Sequence, residues 1–254
     1  MIEIINLTKR YQHHTAVDDL SLRVAPGEIF GFLGPNGAGK TTTIRMVAGA
    51  LAPTSGEIIL GGHHLARAPR PAKSLVGYIP DRPFLYEKLS GWEFFEFLAD
   101  LYQVARPALA DRGPKLLELF ELSDWCHDLI ENYSHGMKQR LIMAGALLPR
   151  PRILVVDEPI VGLDPRGAKL VVDIFRHLAD QEGVAILVST HTMSLASRLC
   201  HRIGIIFKGR LEAVGTEDEL RARSGQDGDL EDIFLKITDG GAPQILSELF
   251  TDHD

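Results

Sequence analysis

Hydrophobic positions change their period along the chain, and each change marks a different kind of element. Leu20, Leu22 and Val24 alternate with Ser21 and Arg23, which is the two-residue period of a strand with one buried face. Pro26 and Gly27 predict a turn before the unbroken apolar run IFGFL. From Thr41 the residues suit a helix to about Leu51, stopped by Pro53 and the Ser55–Gly56 pair, and GEIIL and SLVGYI predict short strands beyond it. From Pro83 to about Leu148 strand periods vanish, and WEFFEFLADLYQV and PKLLELFEL carry helical spacing. Trp92, Phe94, Phe95 and Phe97 read as core and packing residues, because no basic residues interleave with them as a groove for single strands requires. After Pro151 the apolar strands return as RILVVDE, VAILVST and IGIIF, with a helix between them near residues 165 to 182.

Near-continuous apolar strands that alternate with helices predict an α/β fold whose sheet is mainly parallel and covered on both faces. An N-terminal antiparallel strand region adjoins it. The expected organisation is a discontinuous α/β core, residues 1–82 and 149–222, interrupted by a helical subdomain over 83–148. A helical tail follows over 223–254, in which Leu230, Ile233, Phe234 and Ile237 share one face, expected to pack on its own domain.

Composition narrows the partners. A formal net charge of -7 argues against nucleic acid. Two cysteines, Cys126 and Cys200, lack metal-ligand spacing and suit a reducing cytoplasm. His13–His14 and His63–His64 fall in predicted loops without cysteines or paired carboxylates nearby, so they read as surface residues rather than metal ligands. The opening MIEIINLTKRY has no secretory pattern, and no run reaches the roughly 18 apolar residues of a membrane span. Work at a membrane therefore calls for another chain as anchor.

The strongest chemical signal is GPNGAGKT, residues 34–41, set between a predicted strand and a predicted helix. Gly34, Gly37 and Gly39 let backbone amides turn toward phosphate oxygens, with Pro35, Asn36 and Ala38 completing the loop. Lys40 can reach terminal phosphates, Thr41 offers a hydroxyl to magnesium, and Thr42 follows in the first turn of a helix whose dipole favours anions. ILVVDE supplies the complement. Neighbouring strand residues point in opposite directions, so Asp157 can join a magnesium shell while Glu158 orients or deprotonates a water. His191 ends VAILVST, at the carboxyl edge where parallel sheets place their ligands. Together these residues predict a P-loop core that transfers a phosphoryl group to water with magnesium; a nucleotide-sensing module without catalysis would not need the Asp157, Glu158 and His191 set.

With these motifs in order, the chain resembles the ATP-binding cassette of ABC transporters over nearly its whole length. GPNGAGKT resembles the Walker A motif, ILVVDE the Walker B motif, GLD at residues 162–164 the D-loop, and His191 the switch histidine. YSHGM, residues 133–137, resembles the family's LSGGQ signature, with Tyr133, His135 and Met137 departing from it. The resemblance implies that Tyr11 stacks on adenine and that two cassettes close head to tail. Ser134 and Gly136 of one would then cover the ATP of the other, and Asp164 would border the nucleotide. It places Asp81 where the family carries a glutamine, which gives an acidic magnesium contact. YIPD, YSHGM and LEDIFLKIT are most similar to the exporter subfamily serving drugs, sodium or polysaccharides. The implied partners are an integral-membrane transporter subunit and a second cassette, with the chain peripheral on the cytoplasmic face of the cell membrane. A soluble ABC-class ATPase of cofactor assembly is the alternative that chain length allows.

Overall fold

Extended pairing at the N-terminal end builds one antiparallel sheet. The computed structural model describes residues 1–224 and 230–238. In chain order, β1 (Ile2–Tyr11) and β2 (His14–Val24) form a hairpin, and β3 (Ile29–Leu33) leads into α1 (Lys40–Val47). Next come β4 (Ser55–Leu60), β5 (His63–His64), α2 (Pro69–Lys73) and β6 (Val76–Ile79). The antiparallel sheet has the order β2-β1-β4-β5. His13 lies in the hairpin turn as expected, but the other three histidines lie in strands: His14 opens β2, and His63 and His64 pair with Leu60 and Ile59. The free edge of β4 recruits His63 and His64, and pairing of this kind is invisible to local composition.

The chain then runs through α3 (Gly91–Leu101), α4 (Arg106–Leu119) and α5 (His135–Leu147) before β7 (Ile153–Asp157). It continues with α6 (Pro165–Asp180), β8 (Ala185–Thr190), α7 (Met193–Leu199), β9 (Arg202–Phe207), β10 (Arg210–Gly215), α8 (Glu217–Ser224) and α9 (Leu230–Ile237). The second sheet has the order β10-β9-β3-β8-β7-β6. Its strands are parallel except for β10, which returns from β9 as a hairpin.

Every residue of β3, β7 and β8 is buried, as the unbroken apolar runs require. The pleat sorts those residues between two cores. Phe30, Val155 and Leu187 join α1 and the antiparallel sheet on one side, while Ile29, Leu154, Val156 and Val188 join α3 to α7 on the other. Ser90 caps α3 in a reciprocal box, accepting from the Glu93 amide at 3.2 Å while its own amide donates to the Glu93 carboxylate at 2.7 Å. Phe94 and Phe95 enter the core and Trp92 packs against it. Phe97 departs from the expected packing role: it is 39% exposed, edge-on to Tyr86 at 5.0 Å.

The helix after the glycine loop is shorter than expected. It ends at Val47, because Ala50 N donates back to Arg45 O at 2.9 Å and Gly49 N to Met46 O at 3.0 Å. In the tail, Leu230, Ile233 and Phe234 pack with Leu33, Ile203, Ile205 and Leu220. The Ile237 side chain and residues 239–254 lie outside the described residues. No helix among the described residues is long and apolar enough to cross a membrane.

Candidate functional site

The glycine loop leaves the carboxyl end of β3 and closes over the start of α1. Gly39 has φ +107°, and a Cβ there would stand 2.4 Å from the Ala16 carbonyl oxygen, so only glycine lets the loop lie this close to β2. The Thr43 hydroxyl donates to Gly39 O at 3.0 Å and ties the loop to the helix. Lys40 is buried beneath the loop, donating from Nζ to Gly34 O at 2.6 Å and Pro35 O at 3.2 Å, with Glu158 Oε1 4.0 Å away. Burial holds the ammonium below the ordinary lysine range, and the carboxylates of Glu158 and Asp157 partly offset that loss.

Asp157 closes β7 directly opposite Ser189 of β8, whose hydroxyl donates to Asp157 Oδ1. Glu158 turns off the sheet with φ +51°, its amide donating to Ser189 O at 3.1 Å. That reversal aims its carboxylate at His191, with Oε1 2.8 Å from Nδ1. Asp157 Oδ2 and Glu158 Oε2 are buried and have no hydrogen-bond partner among the described residues. Buried carboxylate oxygens left this way are costly unless a cation or a proton donor completes them. Hard oxygen donors beside a phosphate loop suit magnesium, which needs only one or two carboxylates when phosphates supply the rest. The residues therefore fit the ion.

A cavity of about 450 Å³ joins these parts. Of the residues expected at the site, Tyr11, Pro35, Asn36, Gly37, Gly39, Lys40, Thr41, Thr42, Asp81, Glu158 and His191 line it. Gly34 and Ala38 are buried within the loop. Asp157 lines an adjoining groove of about 870 Å³ instead, together with Asp81, Arg45, Tyr78 and the exposed rings of Phe84 and Tyr86. Ser134, Gly136 and Asp164 line neither space. Asp164 caps α6, accepting from Gly167 N at 2.8 Å.

Ser134 caps α5 at an exposed position, accepting from Met137 N at 3.3 Å. Tyr133 is buried just before it and donates its hydroxyl to Trp125 O at 2.7 Å. Met137 packs on the core. Burial pushes the Tyr133 hydroxyl up from 10.0 to about 12. A folded-state value raised in this way keeps its stabilisation below pH 10 and loses it as the pH climbs toward 12, where the unfolded phenol ionises first. Tyr133→Phe is expected to flatten the fall in melting temperature between those pH values, checked by thermal melts of both chains across the interval.

Ser189 and His14 are among the site residues that escaped sequence reasoning, as are Ala16 and Val161 of the cavity wall. Ser189 reaches Asp157 only through the parallel register of β7 and β8, for which a single sequence carries no signal. His14 lines the cavity because it pairs across the hairpin with Tyr11, a placement that the short Gln12–His13 turn could have suggested.

A parallel sheet with a glycine loop after one strand and two carboxylates after the next strand but one defines a P-loop nucleotide-binding protein. Comparison with known proteins narrows the class. The profile of a family described as ABC transporter matches residues 17–161. A profile described as an AAA domain, putative AbiEii toxin, matches residues 127–197. The chain is 38% identical over 235 residues to the daunorubicin resistance ATP-binding protein DrrA3 of Streptomyces coeruleorubidus, spanning 92% of this chain and 73% of that protein. It is 36% identical over 227 residues to the linearmycin resistance ATP-binding protein LnrL of Bacillus subtilis, spanning 89% and 73%. A solved ATP-binding subunit of an ABC transporter superposes with a TM-score of 0.88 at 32% identity, over 94% of this chain and 99% of that one. The cassette MJ0796, solved as a dimer bound to ADP and phosphate, shares the fold with a TM-score of 0.79 at 23% identity, over 85% of this chain and 98% of that one. The chain belongs to the ABC transporter family, as an ATP-binding subunit of its ATPase class.

Proposed function

We propose that the chain is the ATP-hydrolysing subunit of an exporter, in which two cassettes close on two ATP molecules and drive a separate membrane-spanning subunit. One observation carries this reading. Ser134 and Gly136 begin α5 at the surface, while the cavity wall from Tyr11 to His191 takes nothing from α5. A second chain set head to tail supplies the missing wall, with Ser134, the Gly136 amide and the helix dipole meeting the terminal phosphate. Asp164 lies on the turn beside that interface.

Within each chain, Tyr11 stacks on the base, and the loop amides with Lys40 hold the phosphates. Glu158 takes a proton from the attacking water, and His191 fixes the carboxylate that does so. Thr41 and Asp157 would hold magnesium, with Asp81 lining both the cavity of Thr41 and the groove of Asp157; when bound, the ion neutralises charge on the phosphate oxygens. Closure with ATP and reopening after hydrolysis form a population shift that the partner subunit can read. The groove beside Asp157, with Phe84 84% and Tyr86 60% exposed, suits a segment of that subunit on the cytoplasmic face. Relatives named for daunorubicin resistance, linearmycin resistance and Nod factor export support the outward direction.

The test is affinity purification of the tagged chain from gently solubilised native membranes. A multi-span membrane protein recovered at comparable abundance is the expected result. Recovery from the soluble fraction with soluble partners alone would overturn the transporter reading and favour cofactor assembly.

A further inference from the structure

Tyr11 stands at the tip of the hairpin of β1 and β2, 45% exposed and directly across the turn from His14. A ring in such a place keeps its side-chain torsions free unless a neighbour holds it, and that freedom is lost at a cost when a base stacks on it. Lys9 is that neighbour. Its ammonium lies over the Tyr11 ring, 5.2 Å from the centroid, within range for a cation to be drawn to the ring face. The same ammonium donates to Ala52 O at 2.7 Å and meets no carboxylate among the described residues. Tyr11 lines the nucleotide cavity and Lys9 does not. The ammonium thus covers the ring from outside the cavity and leaves the other face to it.

The partner carbonyl gives this contact its reach. Ala52 follows α1, and the chain between them is folded back on the helix by Ala50 N and Leu51 N, which donate to Arg45 O at 2.9 and 3.1 Å. Two more bonds tie the next residues to β1. Thr54 N donates to Thr8 O at 2.8 Å, and Arg10 N donates to Thr54 Oγ1 at 3.0 Å. The backbone of β1 is therefore moored to the far end of the helix whose first turn carries Lys40 and Thr41. Lys9 extends that mooring from the backbone to the aromatic ring.

We propose that Lys9 is a positioning residue for the nucleotide base, holding the Tyr11 ring at a fixed place relative to the phosphate loop. ATP then meets a stacking face already formed, at a smaller cost in lost side-chain freedom. The inference rests on the reading that Tyr11 stacks on the base.

The test is a double-mutant cycle on ATP affinity, measured by calorimetric titration of the full chain with magnesium present, together with turnover at saturating ATP. Lys9→Met is expected to weaken ATP binding by about fivefold while turnover at saturation stays within about twofold. In a Tyr11→Ala background the same change is expected to cost less than about 1.5-fold, because no ring remains to be held. Lys9→Arg, whose guanidinium also stacks on aromatic faces, is expected to keep affinity within about twofold of the parent chain. A residue that merely stiffened β1 would weaken binding equally in both backgrounds. That result, or an affinity unmoved by Lys9→Met where Tyr11→Ala lowers it, would overturn the role of Lys9 and leave the stacking reading in place. Unchanged affinity in Tyr11→Ala would instead remove the stacking reading, and this inference with it.

Discussion

Glu158→Gln is expected to slow ATP turnover by about a thousandfold while leaving ATP bound and the chain dimeric in ATP and magnesium. The amide keeps the shape of the side chain and its reach to His191 Nδ1, now 2.8 Å from the carboxylate. It cannot accept the proton that leaves the water. Binding is not expected to suffer. Glu158 is buried, and its negative charge stands 4.0 Å from the ammonium that serves the phosphates. Neutralising it takes a like charge away from incoming ATP, so affinity should hold or rise. Single-turnover hydrolysis and sizing on the same preparation check both halves. A turnover within about tenfold of the parent chain would remove Glu158 from the role of base.

Lys40→Met is expected to weaken ATP binding by about thirtyfold or more, the scale for losing one partner of a buried charged contact. Methionine keeps most of the buried stem, so the packing loss that alanine would add is avoided. The fold should tolerate the change. Burial already disfavours the charged ammonium, and its direct hydrogen bonds go to the loop carbonyls of Gly34 and Pro35. His191 remains on Glu158 after the substitution. Calorimetric titration with ATP measures the affinity, and a thermal melt without nucleotide measures the fold. Unchanged affinity in a folded chain would show that the loop amides alone hold the phosphates.

Much of this arrangement was legible in the residues, for reasons that differ by element. The runs IFGFL, ILVVD and AILVST announced buried parallel strands because nothing polar interrupts them, and each is buried throughout. The glycine loop was legible because its chemistry is local, with strand, turn and helix contiguous in sequence. Pairing was not. β5 exists because an edge was free, and β10 because β9 needed a return partner, neither of which a composition window records. Phe97 shares its helix with two core rings yet turns outward to Tyr86, since the groove, rather than helical period, sets its neighbours. The Ser189 bond to Asp157 follows from the register of two strands, so the residue types could be read but their meeting could not.

The position of β3 bears on how the chain is made. Ile29 N donates at 3.0 Å to His201 Nδ1, 172 residues further along, and β3 lies between β8 and β9. A nascent chain therefore exposes this apolar strand with both hydrogen-bonding edges bare until the last strands of the sheet have been synthesised. Such distant closure is slow, and bare edges invite pairing with other chains in the interval. The phosphate loop that leaves β3 thus gains its rigid support only after β9 has been made, with His201 lying 172 residues beyond Ile29.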